Sequence, residues 1–191
     1  ANGRNALISN TSGNNNTAFG NAALNDNTTG SNNTALGTDA LGNVTTGSNN
    51  IGIGNNATLP SSSASNQVRI GNSAILYAGI QVFWSVTSDR RKKSGIRTSA
   101  LGLDFINQLN PVSYYRINDK NKKTEYGFIA QELEETLNQM GAANNGMITK
   151  DDAGMYGVRY NDLIAPMVKA IKEQQVMIEN QQEQIDELKS L

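Results

Sequence analysis

Glycines at positions 3, 20, 37 and 54 recur at an unbroken spacing of 17, and the residues between them recur as well. From the first three glycines the chain reads GRNALISNTSGNNNTAF, GNAALNDNTTGSNNTAL and GTDALGNVTTGSNNIGI. These reduce to G-x-x-A-L-x-x-x-T-[ST]-G-x-N-N-x-[AG]-[FLI], and a fourth, incomplete copy starts at Gly54 and Ala57. A fixed period of this kind decides the architecture before any local propensity does. Seventeen residues are too few for a helical pair, and Asn, Gly and Thr disfavour helix, so two short strands joined by two turns per repeat are predicted. The fold class expected for residues 1–60 is a β-solenoid or β-roll stalk. Each repeat offers only two or three inward apolar positions, such as Phe19, Ala23 and Leu24, so burial has to come from stacked neighbours or from other chains. An oligomer is therefore expected.

The regular asparagines admit two readings. Amides suit carbohydrate hydroxyls, which would make a sugar-binding face. They also supply turn geometry and ladders along a stack, and this second reading is preferred. After the repeat comes LPSSSASNQ, a Pro/Ser-rich joint, and then VRIGNSAILYAGIQVFW, which alternates like short strands. Residues 61–87 are read as a β neck.

Composition removes several kinds of chemistry. There is no cysteine and no histidine, which excludes disulfides, thiolate catalysis, zinc fingers and imidazole acid–base catalysis. No cofactor and no metal site is expected. Sixteen basic against 17 acidic residues leave a net charge of −1, so no nucleic acid and no membrane is expected as a partner. No apolar run approaches the roughly 20 residues that span a bilayer, and the first residues lack the basic and apolar regions of a signal peptide. The expectation is a soluble chain.

From Ser88 the composition changes: every lysine lies at or beyond position 92. SALGLDFINQLN places Leu101, Phe105, Ile106 and Leu109 on one helical face and stops at Pro111. VSYYRI and TEYGFI flank the polar NDKNKK and read as a hairpin, and IAQELEETLNQM sets Ile129, Leu133, Leu137 and Met140 at helical spacing. A small α+β unit over 88–158 follows. From Asn161, read as an N-cap, Ile164, Ile171, Ile178 and Ile185 recur every seven residues, with Met167, Gln174, Gln181 and Leu188 three places after each. This is a heptad seam over 159–191. Isoleucine at each a position suits two or three strands. The two glutamine layers are costly unless paired around an axis, so a trimeric coiled coil is expected. Pro166 is expected to bend the start of the helix.

The junction reads WSVTSDRRKKSGIR. Without histidine, a serine nucleophile needs an amine base, and Lys93 lies five positions after Ser88. On a straight helix or strand that spacing points the two side chains apart, so a working pair requires a bend. A lysine amine accepts a proton only when neutral, and burial or neighbouring positive charge, here Arg90, Arg91 and Lys92, favours that form. Spacing alone leaves a solvated basic turn and a phosphate-binding patch open beside the dyad.

Ser88-Asp89-x-Arg91-x-Lys93-x-x-Ile96, a hairpin, Gly127-Phe128-Ile129-Ala130-Gln131-Glu132-Leu133 and then Tyr160-x-x-Leu163-Ile164 running into a coiled coil together resemble the C-terminal intramolecular chaperone domain of phage tail spikes and fibres, the peptidase S74 family. The likeness extends to the self-cleaving segment of myelin regulatory factor, and the repeat is similar to those of such fibres and of trimeric bacterial adhesins. The resemblance implies a domain that trimerises, guides folding of the stalk as its client, and cuts itself off once as a serine endopeptidase. It implies a scissile bond between Thr87 and Ser88, Ser88 as nucleophile and Lys93 as general base. Asp89 is a motif position whose role is left open. Lys92 and Gly95 depart from the apolar residue and the asparagine usual there, which bears on the cleavage rate. The expected setting is a virion fibre or spike, folded in the host cytoplasm, with a host-surface glycan or receptor met by the full fibre. The rival is a bacterial surface adhesin whose C-terminal unit is a non-cleaving clamp.

Overall fold

A computed structural model describes residues 1–82 and 84–190. It divides into two compact units, residues 1–79 with 150–155, and residues 80–149 with 156–191.

In the first unit the sequence period becomes a pairing register. Strands β1 (Thr17–Phe19), β2 (Thr34–Leu36), β3 (Ile51–Ile53) and β4 (Val68–Ile70) form a parallel sheet in chain order. Thr17 faces Thr34, Thr34 faces Ile51 and Ile51 faces Val68, one repeat per step. Each repeat therefore contributes one strand, not the expected two. The rest of the repeat is turn, because Ala22, Leu24, Asp39 and Leu41 all take left-handed backbone angles (φ 51–58°) that no strand ladder accepts. These turns still stack. Leu24 N–H donates to the Ala40 carbonyl, Leu41 N–H to Ala57 and Thr28 N–H to Thr45, so backbone groups outside the strands are satisfied by the next repeat.

The core of this unit is small: Ala18, Ala23, Leu24, Ala35, Ala40, Leu41, Val44 and Leu59. Phe19, expected inside, is 58% exposed. Strand parity explains the correction, since only the middle residue of each three-residue strand faces inward, and that is Ala18, Ala35 or Gly52. The repeating glycines are needed for close approach: a Cβ on Gly37 (φ +132°) would lie 2.6 Å from the Gly54 carbonyl oxygen. The asparagines supply ladders and turns. Buried Asn33 donates to the Gly47 carbonyl (2.8 Å) and accepts from the Asn50 N–H (3.0 Å), while Asn15, Asn32, Asn49 and Asn66 hold left-handed turns. Asn27 donates to Asn10 one repeat back, but Val44 stands one repeat on, and the side-chain Oδ1 of Asn27 has no partner among the described residues.

The repeat continues past residue 60. β4 and the hydrogen bond from Gly71 N–H to the Ile53 carbonyl extend the stack to position 71, which is the next term of the glycine series. The stretch read as a joint fills the fourth turn, where the Ala64 carbonyl accepts from buried Asn50. The β neck predicted for 61–87 is corrected too. Beyond β4, residues 72–82 and 84–89 form no strand, because their alternating apolar side chains find no partner strand among the described residues.

The second unit is built around a more conventional core. Helix α1 (Leu103–Gln108) buries Phe105, and it ends before Pro111. Strands β5 (Val112–Tyr114) and β6 (Glu125–Gly127) form the antiparallel hairpin read from the sequence, and α2 (Ala130–Gln139) buries Leu133 and Leu137. A second two-stranded sheet, β7 (Ile148–Lys150) with β8 (Tyr156–Val158), was not foreseen. Met147 and Leu163 complete the core. Asn161 is not an N-cap: it lies inside a 3-10 turn over Tyr160–Leu163, and α3 runs from Ile164 to Lys189, 26 residues. Pro166 does not interrupt it. In the first turn proline removes an N–H that has no helical acceptor anyway. α1 meets α3 where Leu103 N–H donates to the Glu173 carboxylate (2.6 Å). Among the described residues no helix is long and apolar enough to cross a membrane.

Candidate active site

The turn after Thr87 is built by one side chain. Asp89 takes an extended conformation (φ −64°, ψ 133°), and its Oδ1 accepts from the Arg91 N–H at 2.8 Å, capping a 3-10 turn over Arg90–Lys92. The Lys92 N–H closes on the Asp89 carbonyl (3.0 Å) and the Lys93 N–H on the Arg90 carbonyl (3.1 Å). Arg91 also grips the same carboxylate through its guanidinium, with Nη2 2.7 Å from Oδ2. The Arg91 side chain and N–H hold the Asp89 carboxyl below its ordinary range, and the carboxylate in turn raises the Arg91 guanidinium. Both groups are exposed, so the pair fixes geometry more than it adds stability.

This turn is the bend that a spacing of five requires. Lys93 leaves it in an extended conformation, and its Nζ lies 2.7 Å from Ser88 Oγ. A hydroxyl and an amine, the group types of a serine nucleophile and its base, are thus within hydrogen-bond reach, and the Thr87–Ser88 peptide bond adjoins the hydroxyl's own residue. Ser88, Asp89 and Lys93 are all exposed, as is Thr87. The role left open for Asp89 in the sequence now has a structural content: it positions the turn that brings Lys93 back. The sequence signal for it was present, since Asp two residues before an N–H it can accept is an N-cap pattern.

The other motif residues fall into the scaffold. Phe128 N–H donates to Tyr160 Oη (3.1 Å), and the two rings stack with centroids 6.2 Å apart. Leu133 and Leu163 lie in the core with Phe105. The seam residues Ile164, Met167, Ile171, Ile178, Ile185 and Leu188 stay 45–71% exposed, and Gln174 and Gln181 are exposed with them. α3 buries Pro166 and Ala170 instead.

Residues 88–142 match the family model of peptidase S74, described as chaperone of endosialidase. The match supports a chaperone domain over that stretch, which is under half of the chain. No curated protein matches the chain.

Proposed function

We propose that the chaperone-type module at residues 88–142 serves a chain that assembles as a homotrimer, guides folding of its own repeat stalk and then releases itself by cutting the Thr87–Ser88 bond. The observation that carries this reading is the 2.7 Å approach of Lys93 Nζ to Ser88 Oγ across the capped turn. In the reaction Ser88 Oγ adds to the Thr87 carbonyl carbon as Lys93 takes the hydroxyl proton. The carbon–nitrogen bond breaks as that proton reaches the departing amine of Ser88, and water hydrolyses the resulting ester to a Thr87 carboxylate. Each chain cuts once.

The stalk gives such a device a purpose. Its hydrogen bonds join residues one repeat apart, and three such chains must also find one another, so closure and association entropy precede any reward. A seam of Ile164, Met167, Ile171, Gln174, Ile178, Gln181, Ile185 and Leu188, read as a trimeric coiled coil, would hold three stalks at high local concentration. The stacked 17-residue repeat is read as a β-solenoid stalk of a phage fibre or spike in the virion, with any host glycan or receptor met by the assembled fibre. Cutting afterwards removes the template for unfolding and leaves a kinetically stable stalk.

One observation favours a clamp that does not cut: Ser88 and Lys93 are both exposed, so no described residue of a single chain strips water from the amine. Mass analysis of the purified full chain separates the two. Cleavage gives fragments 1–87 and 88–191, which Ser88→Ala and Lys93→Met abolish. A wild-type chain that remains whole as a folded trimer ends the protease reading and leaves the clamp.

A further inference from the structure

The sheet β1–β4 hides one face and shows the other. Its outward face carries two rows in register, Thr17–Thr34–Ile51–Val68 and Phe19–Leu36–Ile53–Ile70. The six large apolar side chains in these rows are 39–67% exposed. They form one contiguous patch about 15 Å tall along the stack, on the order of several hundred Å², the size at which an exposed apolar patch marks an interaction site. The other stacked rows of the repeat are of different character: threonines at 11, 28 and 45 and asparagines at 15, 32, 49 and 66. Apolar residues outside and alanine or glycine inside is the reverse of what a strand free in water selects.

We propose that this face is where copies of the chain lie against one another along the stalk, an inference that rests on the homotrimer reading and specifies its second contact. Three features of the face select a second copy as occupant. β1, β2 and β3 contain no charged residue, so identical faces meet without repulsion, and Arg69 in β4 is the sole charge in the four strands. The rows repeat every 17 residues, so copies running parallel present the same residue type at the same height, as a parallel heptad seam also does. The patch is also smaller than the roughly 800 Å² per partner of a stable independent interface, which suits a contact made between chains already tethered elsewhere. A sugar would want stacking platforms, and the face has one aromatic ring, Phe19, among aliphatic side chains.

The chain has no cysteine, so a single introduced thiol reports its own surroundings. Ile53→Cys, with Ile51→Cys as a second variant on the other row, is treated in the full chain with a short bifunctional maleimide and read on a denaturing gel. Thr11→Cys, on the threonine row, and Gln181→Cys, on the seam, are run beside them. The inference requires covalent dimers from Ile53→Cys or Ile51→Cys and monomer from Thr11→Cys. If Gln181→Cys cross-links while both face variants stay monomeric, the trimer reading stands and this inference falls. That is the result an open face serving a sugar or another protein would give. If no position cross-links, both fall. If the face cross-links and Gln181→Cys does not, the inference holds and the coiled coil is lost. Equal cross-linking at Thr11→Cys shows random collision and overturns it.

Discussion

The repeat and the C-terminal unit solve the same problem, covering backbone and apolar surface, in opposite ways. In the repeat, half of the buried core side chains are Ala, and the network is backbone and amide hydrogen bonds, many of them between residues one repeat apart. In the C-terminal unit, Phe105, Leu133, Leu137, Met147 and Leu163 converge from three helical elements and a loop onto one centre. Each repeat of the first meets chiefly its nearest neighbours, whereas the second gathers its large apolar side chains into one core. That asymmetry fits the proposal that the C-terminal module guides folding of the repeat.

The strongest way to break the comparison is to remove the nucleus. Phe105 is fully buried, and Phe105→Ala is expected to cost the C-terminal unit about 3–5 kcal/mol. Two thermal transitions should result, with the one assigned to the C-terminal unit moved down and the stalk's left in place once it has formed. A single transition that moves as a whole would mean that the two units unfold together. In the repeat the comparable lesion is steric. Gly37→Ala places a Cβ 2.6 Å from the Gly54 carbonyl oxygen at φ +132°, and the expected cost is about 2–3 kcal/mol. Because contacts run only to neighbours, amide exchange should rise in the turns on either side of Gly37 while the distant repeats keep protection. Uniform loss of protection would show that the repeats open as one cooperative unit.

These differences also decide how much could be read in advance. The period was visible because each repeat pairs with its copy, so Gly3, Gly20, Gly37 and Gly54 keep the same register in sequence and in space. Gly71 carried the same signal, but Pro60 and the serines after it disguised the fourth turn as a joint. The inward side of the strand was misread at Phe19, because apolar character usually means inside, and here the small residue is inside. The helices α1 and α2 and the hairpin were legible from spacing and Pro111, while β7 and β8 are three-residue strands whose pairing depends on a turn at Gly154. The Ser88–Lys93 pair was legible as residue types but not as geometry. Its distance depends on the cap that Asp89 supplies, a contact between a side chain and a backbone N–H two residues away.

The smallest expected effect sharpens the comparison through pH. The ladders of the first three repeats are amides, hydroxyls and backbone groups, which do not titrate, and Asp26 and Asp39 are the acidic residues among positions 1–79; at the fourth turn the Asp152 carboxylate accepts from the Ser62 N–H (3.3 Å). In the C-terminal unit Asp89, Asp119, Glu125 and Glu173 are all held below their ordinary values by hydrogen bonds to Arg91, to the Lys123 and Asn121 N–H groups, to Arg116 and to the Leu103 N–H respectively. A depressed carboxyl contributes stability that is full above its unfolded value, 3.8 for Asp89 and 4.5 for Glu173, and is lost as pH falls through the folded value. These groups are exposed, so each contribution is modest. On acidification from about pH 6 to about pH 2 in an uncleaved Ser88→Ala chain, amide resonances of residues 89–93 and of the α1–α3 contact should shift first, and those of the stalk last. Resonances of Leu24, Leu41 and Thr28 moving at the same pH as that of Arg91 would show that the stalk depends on the C-terminal unit's ion pairs. The distinction between a neighbour-built stalk and a nucleus-built module would then fail.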